Sequence, residues 1–364
     1  MERTTDKIRL GIIGCGGMAS SHAKGYEELA GRMQVTATCD IELERAQEAA
    51  TYYGAQLAVA DYHELLDHVD AVLVVLPHDL HYEVGMTCLR AGKHVLMEKP
   101  MGNSEQECID LIELSEQVGR VFMIAYPVRH HPLMVKMKEL IDDKTYGDVF
   151  QMSIYTEQYT RYYDGHWALD SKRLGGGQFF SHGCHYVDIL LWVLGNPVRG
   201  THLGTNYGTP WMEREGTSNM TMEFENGALG MHLGTWGARG TRLGSSMHVH
   251  CTKGMLELVF SERRLYLHHK LDEERAGIKQ GEVELLMEVE EGGKFTHHEI
   301  HHFLDCVQYG QRPLTDGPGS LQGLRCIWRM YDAERNHVMA DLRGLGLEQD
   351  WRQVPLGSGS ESRA

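Results

Sequence analysis

Apolar runs and amphipathic patterns alternate through the first 125 residues. The apolar, β-rich runs predict strands over Ile8–Ile13, Gln34–Thr38, Ala71–Leu76, His94–Met97 and Val121–Ala125. The patterns between them predict helices over Met18–Ala30, Glu42–Tyr53, Leu80–Ala91 and Ser104–Val118. Near-continuous apolar strands separated by helices are typical of a parallel sheet covered on both faces. Because such crossovers are right-handed, we predict an α/β fold with a doubly wound parallel sheet.

The pattern changes after residue 126, where longer segments alternate between apolar and polar positions. They predict strands over Asp148–Thr160, Ser218–Glu225, Ala228–Thr235, Met247–Cys251 and Met255–Phe260. Helices are predicted over Pro132–Asp142, Ser181–Leu194, Thr296–Tyr309 and Ser320–His337. We therefore expect a second, α+β domain with an open, mostly antiparallel sheet. The predicted division is a first domain over 1–126, a second over 127–354, and a disordered Gly/Ser-containing tail over 355–364.

Composition narrows the possible partners. The 364 residues include 35 basic and 51 acidic side chains, a net charge of −16, which repels nucleic-acid phosphates and anionic lipid. The polar start, Met1–Lys7, shows no basic-then-apolar leader, and no apolar run is long enough to span a membrane. The eight cysteines form no CxxC pair. We therefore expect a cytoplasmic protein with reduced thiols that binds neither nucleic acid nor membrane.

A glycine-rich motif, Gly14-Cys15-Gly16-Gly17-Met18-Ala19, follows the first strand and opens a helix. In this context a GxGxxA sequence is the dinucleotide fingerprint: one glycine permits the turn, the next lets backbone approach a pyrophosphate, and the alanine allows close packing. Asp40, 24 residues after Gly16, closes the second strand, where a carboxylate binds the ribose hydroxyls and repels a 2′-phosphate. We predict that these residues bind NAD in preference to NADP. An ordinary tight turn with a surface aspartate is the alternative.

A second motif, Glu98-Lys99-Pro100, lies at the end of the strand His94–Met97. Ligands of doubly wound sheets bind at the carboxyl ends of strands, so Lys99 is placed where chemistry takes place. A solvated surface lysine is the alternative interpretation, since exposed lysines are common.

Taken together, the motifs resemble the Gfo/Idh/MocA family of sugar and cyclitol oxidoreductases. The resemblance covers about residues 7–340 and is carried by the GxGxxA motif and by four further stretches. These are Leu76-Pro77-His78-Asp79-Leu80-His81, Ala91 to Pro100, Tyr126-Pro127-Val128-Arg129-His130-His131-Pro132, and Gly175 to Asp188 with its GxHxxD sequence.

The resemblance implies the roles of individual residues. It implies that Lys99 and His185 flank the substrate carbon that faces the nicotinamide, with His182 as a further acid/base candidate. It implies cofactor contacts at Pro77, His81, Glu98, Lys99 and Arg129, in addition to the glycine-rich motif. It implies substrate contacts at Tyr126, Ser181, His182 and Asp188. Tyr159 and Trp167 are further substrate candidates because sugar faces stack on aromatic rings. An imidazole suits proton removal near neutral pH, and an ammonium stabilises a developing alkoxide.

The sequence departs from the family pattern at two places. Ser181 stands where many relatives have an aspartate, so no carboxylate base is available there and proton removal falls to His185 or to the extra His182. On one helix these two histidines would be roughly 60° apart and could face the same side. Pro127 replaces the usual asparagine two residues before Arg129, which leaves one contact near the nicotinamide in question.

Two further groups of residues have competing interpretations. Aromatic side chains at Tyr155, Tyr159, Tyr162, Tyr163, Trp167, Trp211 and Trp236 are suited to stacking on a sugar or an aglycone, or to strand packing and a subunit interface. The histidine-rich segment from His297 to His302 has metal-capable spacing, but we expect a solvated helix start and no metal.

We therefore expect an NAD-dependent oxidoreductase that oxidises a secondary hydroxyl, at C3, of a sugar, cyclitol or glycoside. One alternative is a redox glycosidase, which oxidises C3 transiently and releases the aglycone with no net redox change. The other is a non-catalytic sensor of dinucleotide or sugar, although the presence of Lys99 and His185 disfavours it. A homo-oligomer, dimer or tetramer, is implied by the resemblance alone.

Overall fold

A computed structural model describes residues 7–22, 25–269, 282–290 and 295–356. The chain divides into two compact units. The first contains Met1–His130 and Lys294–Leu321, and the second contains His131–Gly293 and Gln322–Ala364. The α-helices of the described residues are, in chain order, α1 Gly17–His22, α2 Leu43–Tyr53, α3 His81–Arg90, α4 Glu105–Val118, α5 Pro132–Asp142, α6 Ser171–Leu174, α7 Gln178–Ser181, α8 Cys184–Leu194, α9 Thr296–Tyr309 and α10 Gly317–Arg335. None of these helices is long and apolar enough to cross a membrane.

A six-stranded parallel sheet forms the centre of the first unit. Its strands are β1 Ile8–Ile13, β2 Met33–Cys39, β3 Leu57–Val59, β4 Ala71–Val74, β5 His94–Glu98 and β6 Phe122–Ala125, in the spatial order β3-β2-β1-β4-β5-β6. This is the doubly wound order that the sequence predicts. The predicted fold class is confirmed. Of the strands in this sheet, the three-residue β3 was not predicted.

Helix α9 belongs to the first unit although it lies far along the chain. Ile300, Phe303 and Leu304 form an apolar stripe and are buried in the same core as Ile8 and Leu10 of β1. The predicted division at residue 126 does not account for this return of the chain.

The second unit is built on a nine-stranded mixed sheet. Its strands are β7 Val149–Glu157, β8 Pro197–Thr205, β9 Thr217–Phe224, β10 Leu229–Thr235, β11 Ser245–Cys251, β12 Gly254–Val259, β13 Arg264–His269, β14 Val283–Glu288 and β15 Ala340–Asp341. Their order is β14-β13-β12-β11-β7-β10-β9-β8-β15, and β7 pairs with β10 in parallel while the remaining pairs are antiparallel. An open, mostly antiparallel sheet is therefore confirmed.

Two predicted helices are interrupted. The predicted helix Ser181–Leu194 is instead the pair α7 and α8, separated at His182 and Gly183. A Cβ atom on Gly183 would lie 2.4 Å from the carbonyl oxygen of Phe179, so the close approach of the two segments requires glycine. The predicted helix Met18–Ala30 ends as α1 at His22, positions 23 and 24 lie outside the described residues, and a 3₁₀ turn follows at Tyr26–Leu29. Of the predicted disordered tail, positions 357–364 lie outside the described residues.

Candidate active site

The glycine-rich turn joins β1 to α1 at the carboxyl edge of the first sheet. Gly14 has a φ of +92°, and a Cβ atom there would lie 2.0 Å from the carbonyl oxygen of Val75. Its N–H donates to the carbonyl oxygen of Cys39 at 2.8 Å. The fold itself therefore requires glycine at position 14.

Gly16 and Gly17 are exposed, and a Cβ atom on either would have no atom within 4 Å. Neither has a left-handed φ, so the packing of this chain does not require glycine at these positions. Met18 is half-buried beside them, and Ala19 is buried in the core under the sheet edge. The open backbone at Gly16 and Gly17 leaves room for the pyrophosphate of a dinucleotide, as the motif predicts.

Asp40 is fixed beside this turn directly after β2. Its Oδ2 accepts the N–H of Cys15 at 2.9 Å, and its Oδ1 accepts the N–H of Glu42 at 3.0 Å. Burial, with the nearby charge of Asp40, raises the pKa of the Cys15 thiol to about 11, so the thiol is neutral. Each carboxylate oxygen retains a second lone pair, so Asp40 can still accept from the two ribose hydroxyls. The residues present fit NAD.

Lys99 is held at the end of β5 by the residue before it. Glu98 is buried, and its Oε2 accepts the backbone N–H of Lys99 at 3.2 Å. Nε2 of the fully buried His22 lies 2.8 Å from Oε1 of Glu98. His22 also lies within reach of Glu299 on α9, with Nδ1 and Oε2 3.9 Å apart. The Lys99 turn is thereby connected to α1 and to α9.

The histidine-rich start of α9 follows the prediction of a solvated helix start only in part. His298 and His301 are exposed, but Thr296, Glu299 and Ile300 are buried. The signal for this burial lies further along the helix, since Phe303 and Leu304 continue the same apolar face. Among the described residues, no group of three or more His, Cys, Asp and Glu side chains could hold a metal ion.

His81, a predicted cofactor contact, is held by backbone on both sides of its ring. Its ring is fully buried, with Nδ1 2.7 Å from the carbonyl oxygen of Pro100 and Nε2 3.0 Å from that of Leu76. Burial lowers its pKa, so the ring is neutral and donates to one of these carbonyls at a time. Both nitrogens face backbone, so His81 braces the segments after β4 and β5, while Pro77, half-buried, precedes the 3₁₀ turn His78–Leu80.

Tyr126 and Arg129, which follow β6, are also buried inside the first unit. The Tyr126 hydroxyl lies 3.3 Å from Oγ of Ser320, and Nη1 of Arg129 donates to the carbonyl oxygen of Leu314 at 2.9 Å. These contacts connect the segment after β6 to α10, through Ser320, and to the loop before it, through Leu314. Tyr126 and Arg129 therefore stabilise the first unit, whereas Tyr126 is also a predicted substrate contact and Arg129 a predicted cofactor contact.

The predicted histidines meet in the second unit, at the junction of α7 and α8. The ring centroids of His182 and His185 are 6.0 Å apart, with the ring planes at 80°. Both side chains are half-buried, whereas Ser181 and Asp188 are buried. The sequence therefore predicted the proximity of the two histidines, but through a continuous helix that the structure replaces with a turn.

Glu215 and Tyr331, which the sequence analysis did not single out, hold the backbone at the start of α7. Oε1 of Glu215 accepts the N–H of Phe179 at 3.3 Å and also the hydroxyl of Tyr331, whose oxygen accepts the N–H of Gly177 at 3.2 Å. Burial raises the pKa of Glu215. Because Glu215 and Tyr331 lie far from α7 along the chain, no local sequence pattern indicates their role.

The aromatic residues divide into packed and exposed members. Trp236 and Trp167 belong to a small apolar cluster with Leu174 and Met212. Tyr159 is exposed, its ring 5.8 Å from that of Trp211, and the Arg239 guanidinium lies over both rings at 5.1 and 5.5 Å. Trp167 thus packs in this cluster, whereas Tyr159 is exposed to solvent with the Arg239 guanidinium over its ring.

Known families match both parts of the chain. The model described as an oxidoreductase family with an NAD-binding Rossmann fold matches residues 8–126. The C-terminal domain model of the same Gfo/Idh/MocA family matches residues 134–257. Residues 8–126 are therefore an NAD-binding Rossmann domain.

Individual relatives are dehydrogenases of cyclitols and sugars. The chain is 29% identical over 192 residues to inositol 2-dehydrogenase/D-chiro-inositol 3-dehydrogenase of Lactiplantibacillus plantarum, a match covering 51% of this chain and 52% of that protein. It is 30% identical over 200 residues to D-glucoside 3-dehydrogenase of Escherichia coli, covering 54% of this chain and 56% of that protein. The chain thus spans little more than half the length of these relatives.

A solved structure shares the fold over nearly the whole chain. Levoglucosan dehydrogenase in complex with NADH and levoglucosan superposes with a TM-score of 0.83 at 17% identity, covering 93% of this chain and 100% of that one. At this identity the likeness concerns the fold alone. With both domain models of one family matched in order along the sequence, the chain belongs to the Gfo/Idh/MocA oxidoreductase family.

Proposed function

We propose that this protein is an NAD-dependent dehydrogenase that oxidises the C3 hydroxyl of a hexopyranoside. The observation that carries the proposal is the carboxyl edge of the first sheet. There, the open backbone at Gly16 and Gly17, the carboxylate of Asp40 and the turn of Lys99 follow strands β1, β2 and β5 of one parallel sheet. The name of the Escherichia coli relative, D-glucoside 3-dehydrogenase, supports the choice of carbon and of substrate class.

By the family resemblance, we assign Lys99 and His185 to the proton and charge of the reacting hydroxyl. His185 accepts the hydroxyl proton, and the ammonium of Lys99 stabilises the negative charge that develops on the oxygen. NAD, when bound, supplies the acceptor for the hydride that leaves the same carbon. Ser181 has no carboxylate to offer, so proton removal falls to a histidine.

Asp40 is assigned to cofactor choice. A carboxylate fixed by two backbone N–H groups cannot turn away from a 2′-phosphate, and the repulsion between them favours NAD over NADP. Titration of the protein with both cofactors tests this assignment, and equal affinities would contradict it.

The activity is tested by following absorbance of the reduced cofactor with a panel of hexopyranosides, free sugars and inositols. We expect turnover of glycosides, and the His185→Ala variant should lose more activity than His182→Ala. The sugar products and any released aglycone are analysed in the same assay. Release of free aglycone without net reduced cofactor would identify a redox glycosidase instead, and binding without either product would identify a sensor.

We also propose that the protein forms a homo-oligomer through the second sheet. Helices α5 and α8 pack on one face of this sheet. The opposite face carries a row of partly exposed side chains, from Met231 and His248 to Glu257 and Tyr266, that the described helices leave uncovered. A second copy of the chain is the proposed occupant, by the family resemblance. Light scattering coupled to size-exclusion chromatography should give a dimer or tetramer, and a monomer would contradict this.

A further inference from the structure

Gln178 is a buried polar residue that neither the motifs nor the comparisons assign to a role. It is the first residue of α7, and its side chain is fully buried. Its backbone N–H donates to the carbonyl oxygen of Glu215 at 2.7 Å, which fixes the start of α7. A buried amide must satisfy its polar atoms, so the partners of this side chain are informative.

Two strands of the second sheet hold the amide in place. Oγ of Ser218, itself fully buried on β9, donates to Oε1 of Gln178 at 2.6 Å. Gly234 on β10 pairs with Ser218, and a Cβ atom at position 234 would lie 2.2 Å from Nε2 of Gln178. The amide is therefore packed directly against strand backbone, with its oxygen directed to Ser218.

The amide nitrogen is directed to His182. Nε2 of Gln178 lies 3.4 Å from Nδ1 of the His182 ring. An amide nitrogen can only donate, so Nδ1 must accept with its lone pair. A neutral imidazole carries a single proton, and that proton is then on Nε2.

We infer that the Ser218–Gln178 pair fixes His182 as the Nε2–H tautomer, so that His182 donates a hydrogen bond to the substrate oxygen while His185 alone accepts the proton. This inference rests on the proposed function for the identity of the substrate oxygen, but the tautomer itself does not. Gln178 is a positioning residue, since it acts through His182. His182 keeps its proton throughout, and the hydroxyl proton passes to His185.

The two histidines are close enough for this division of roles. With ring centroids 6.0 Å apart and planes nearly perpendicular, they can approach one oxygen from different directions. A hydroxyl that loses its proton needs one acceptor, and the negative charge it develops is stabilised by a donor. His182 can take a different role from His185 because the Gln178 amide donates to its Nδ1.

Nitrogen-15 NMR of the histidine rings tests the tautomer in the full-length protein with NAD. The ring signals of His182 are assigned by their absence in His182→Gln, and long-range proton–nitrogen correlations distinguish a protonated from an unprotonated ring nitrogen. We expect an unprotonated Nδ1 and a protonated Nε2 at neutral pH. A protonated Nδ1 would overturn the inference.

Gln178→Glu reverses the polarity of the contact at almost constant shape. A carboxylate only accepts, so it should draw the His182 proton to Nδ1 and leave Nε2 as an acceptor. We expect the NMR pattern to reverse and turnover of the glycoside to fall by about 10²-fold, as for loss of one donor to a developing oxyanion. Gln178→Met, of similar length, is the matched control and should give a mixture of tautomers. An unchanged Nε2–H pattern in both variants would overturn the role of Gln178.

The failures of the two proposals are distinguishable. If the unsubstituted protein shows the Nε2–H pattern but oxidises no glycoside, the tautomer stands and the proposed function fails. If it oxidises glycosides but shows the Nδ1–H pattern, the proposed function stands and this inference fails. The spectrum of the unsubstituted protein establishes the tautomer of His182 even if a variant does not fold.

Discussion

Gly14 and Gly16 belong to one motif, but the structure predicts opposite consequences for replacing each with alanine. At Gly14, an alanine must adopt a φ near +92°, and its Cβ atom would lie 2.0 Å from backbone oxygen of Val75. The left-handed conformation costs about 1–2 kcal/mol, and relief of the overlap requires backbone movement worth a further ~1–3 kcal/mol. We expect Gly14→Ala to lower the free energy of unfolding of the first unit by about 2–5 kcal/mol.

At Gly16, the same methyl group meets no atom of the protein. Because the φ is not left-handed, alanine should leave stability unchanged or raise it by ~0.4–1 kcal/mol through the unfolded chain. The methyl would instead occupy space that the pyrophosphate needs, so NAD affinity should fall at least ~10-fold, equivalent to about 1.4 kcal/mol.

The assay must report on the first unit, and tryptophan fluorescence does not, because all six tryptophans lie in the second unit. Hydrogen exchange of peptides from β1 and β4 measures the local stability, and calorimetric titration measures NAD affinity. Normal NAD binding by Gly16→Ala would refute the assignment of the pyrophosphate to this backbone. Equal destabilisation by both substitutions would contradict the difference between the tightly packed Gly14 and the open Gly16.

Four further substitutions have expected outcomes. Asp40→Ser should reduce the preference for NAD over NADP in paired titrations, because the fixed carboxylate is removed; an unchanged ratio would contradict its role. Lys99→Ala should bind NAD nearly normally but lose ~10²–10⁴-fold in turnover of the glycoside, and normal turnover would contradict the assignment. His22→Leu should lower turnover while Lys99 remains present, because Glu98 loses the partner that fixes it; unaltered kinetics would show that the link is not needed. Burial lowers the pKa of His232 to about 3. Below pH ~6.5, His232 therefore binds a proton in the unfolded chain but stays neutral in the folded protein. The free energy of unfolding should then decrease by about 1.4 kcal/mol for each pH unit that the pH falls. His232→Gln should flatten this dependence in urea unfolding between neutral and acidic pH, and an identical slope would contradict the cause.

Much of the first unit follows from local pattern. The strand Ile8–Ile13 is apolar except for the exposed Arg9, and the glycine-rich motif after it fixes the position of the turn. Fold class and cofactor could therefore be derived from the sequence. The 3-residue strand Leu57–Val59 is too short to show a period. The return of α9 to this unit depends on tertiary packing of Ile300 and Phe303, which a linear division at residue 126 ignores.

The candidate site was only partly predictable for a related reason. Lys99 and His185 were recognised because each lies in a motif of the family. Glu299 and Glu215 contact their partners, His22 and Phe179, across long sequence separations. Gln178 lies only four residues from His182, but its bond to Ser218 spans 40 residues. Their partners are evident only once the strands are paired, as when Gly234 leaves room for the Gln178 amide.

Transfer of deuterium from the substrate to the nicotinamide shows directly whether the protein oxidises a hexopyranoside at C3. The protein is incubated with NAD and a hexopyranoside deuterated at C3, and the reduced cofactor is analysed by mass spectrometry. We predict that the reduced cofactor carries one deuterium from C3 and that the sugar becomes the 3-keto product. Deuterium arriving only from a substrate labelled at another carbon would contradict the position, and reduced cofactor that carries none from any ring carbon would contradict the dehydrogenase itself.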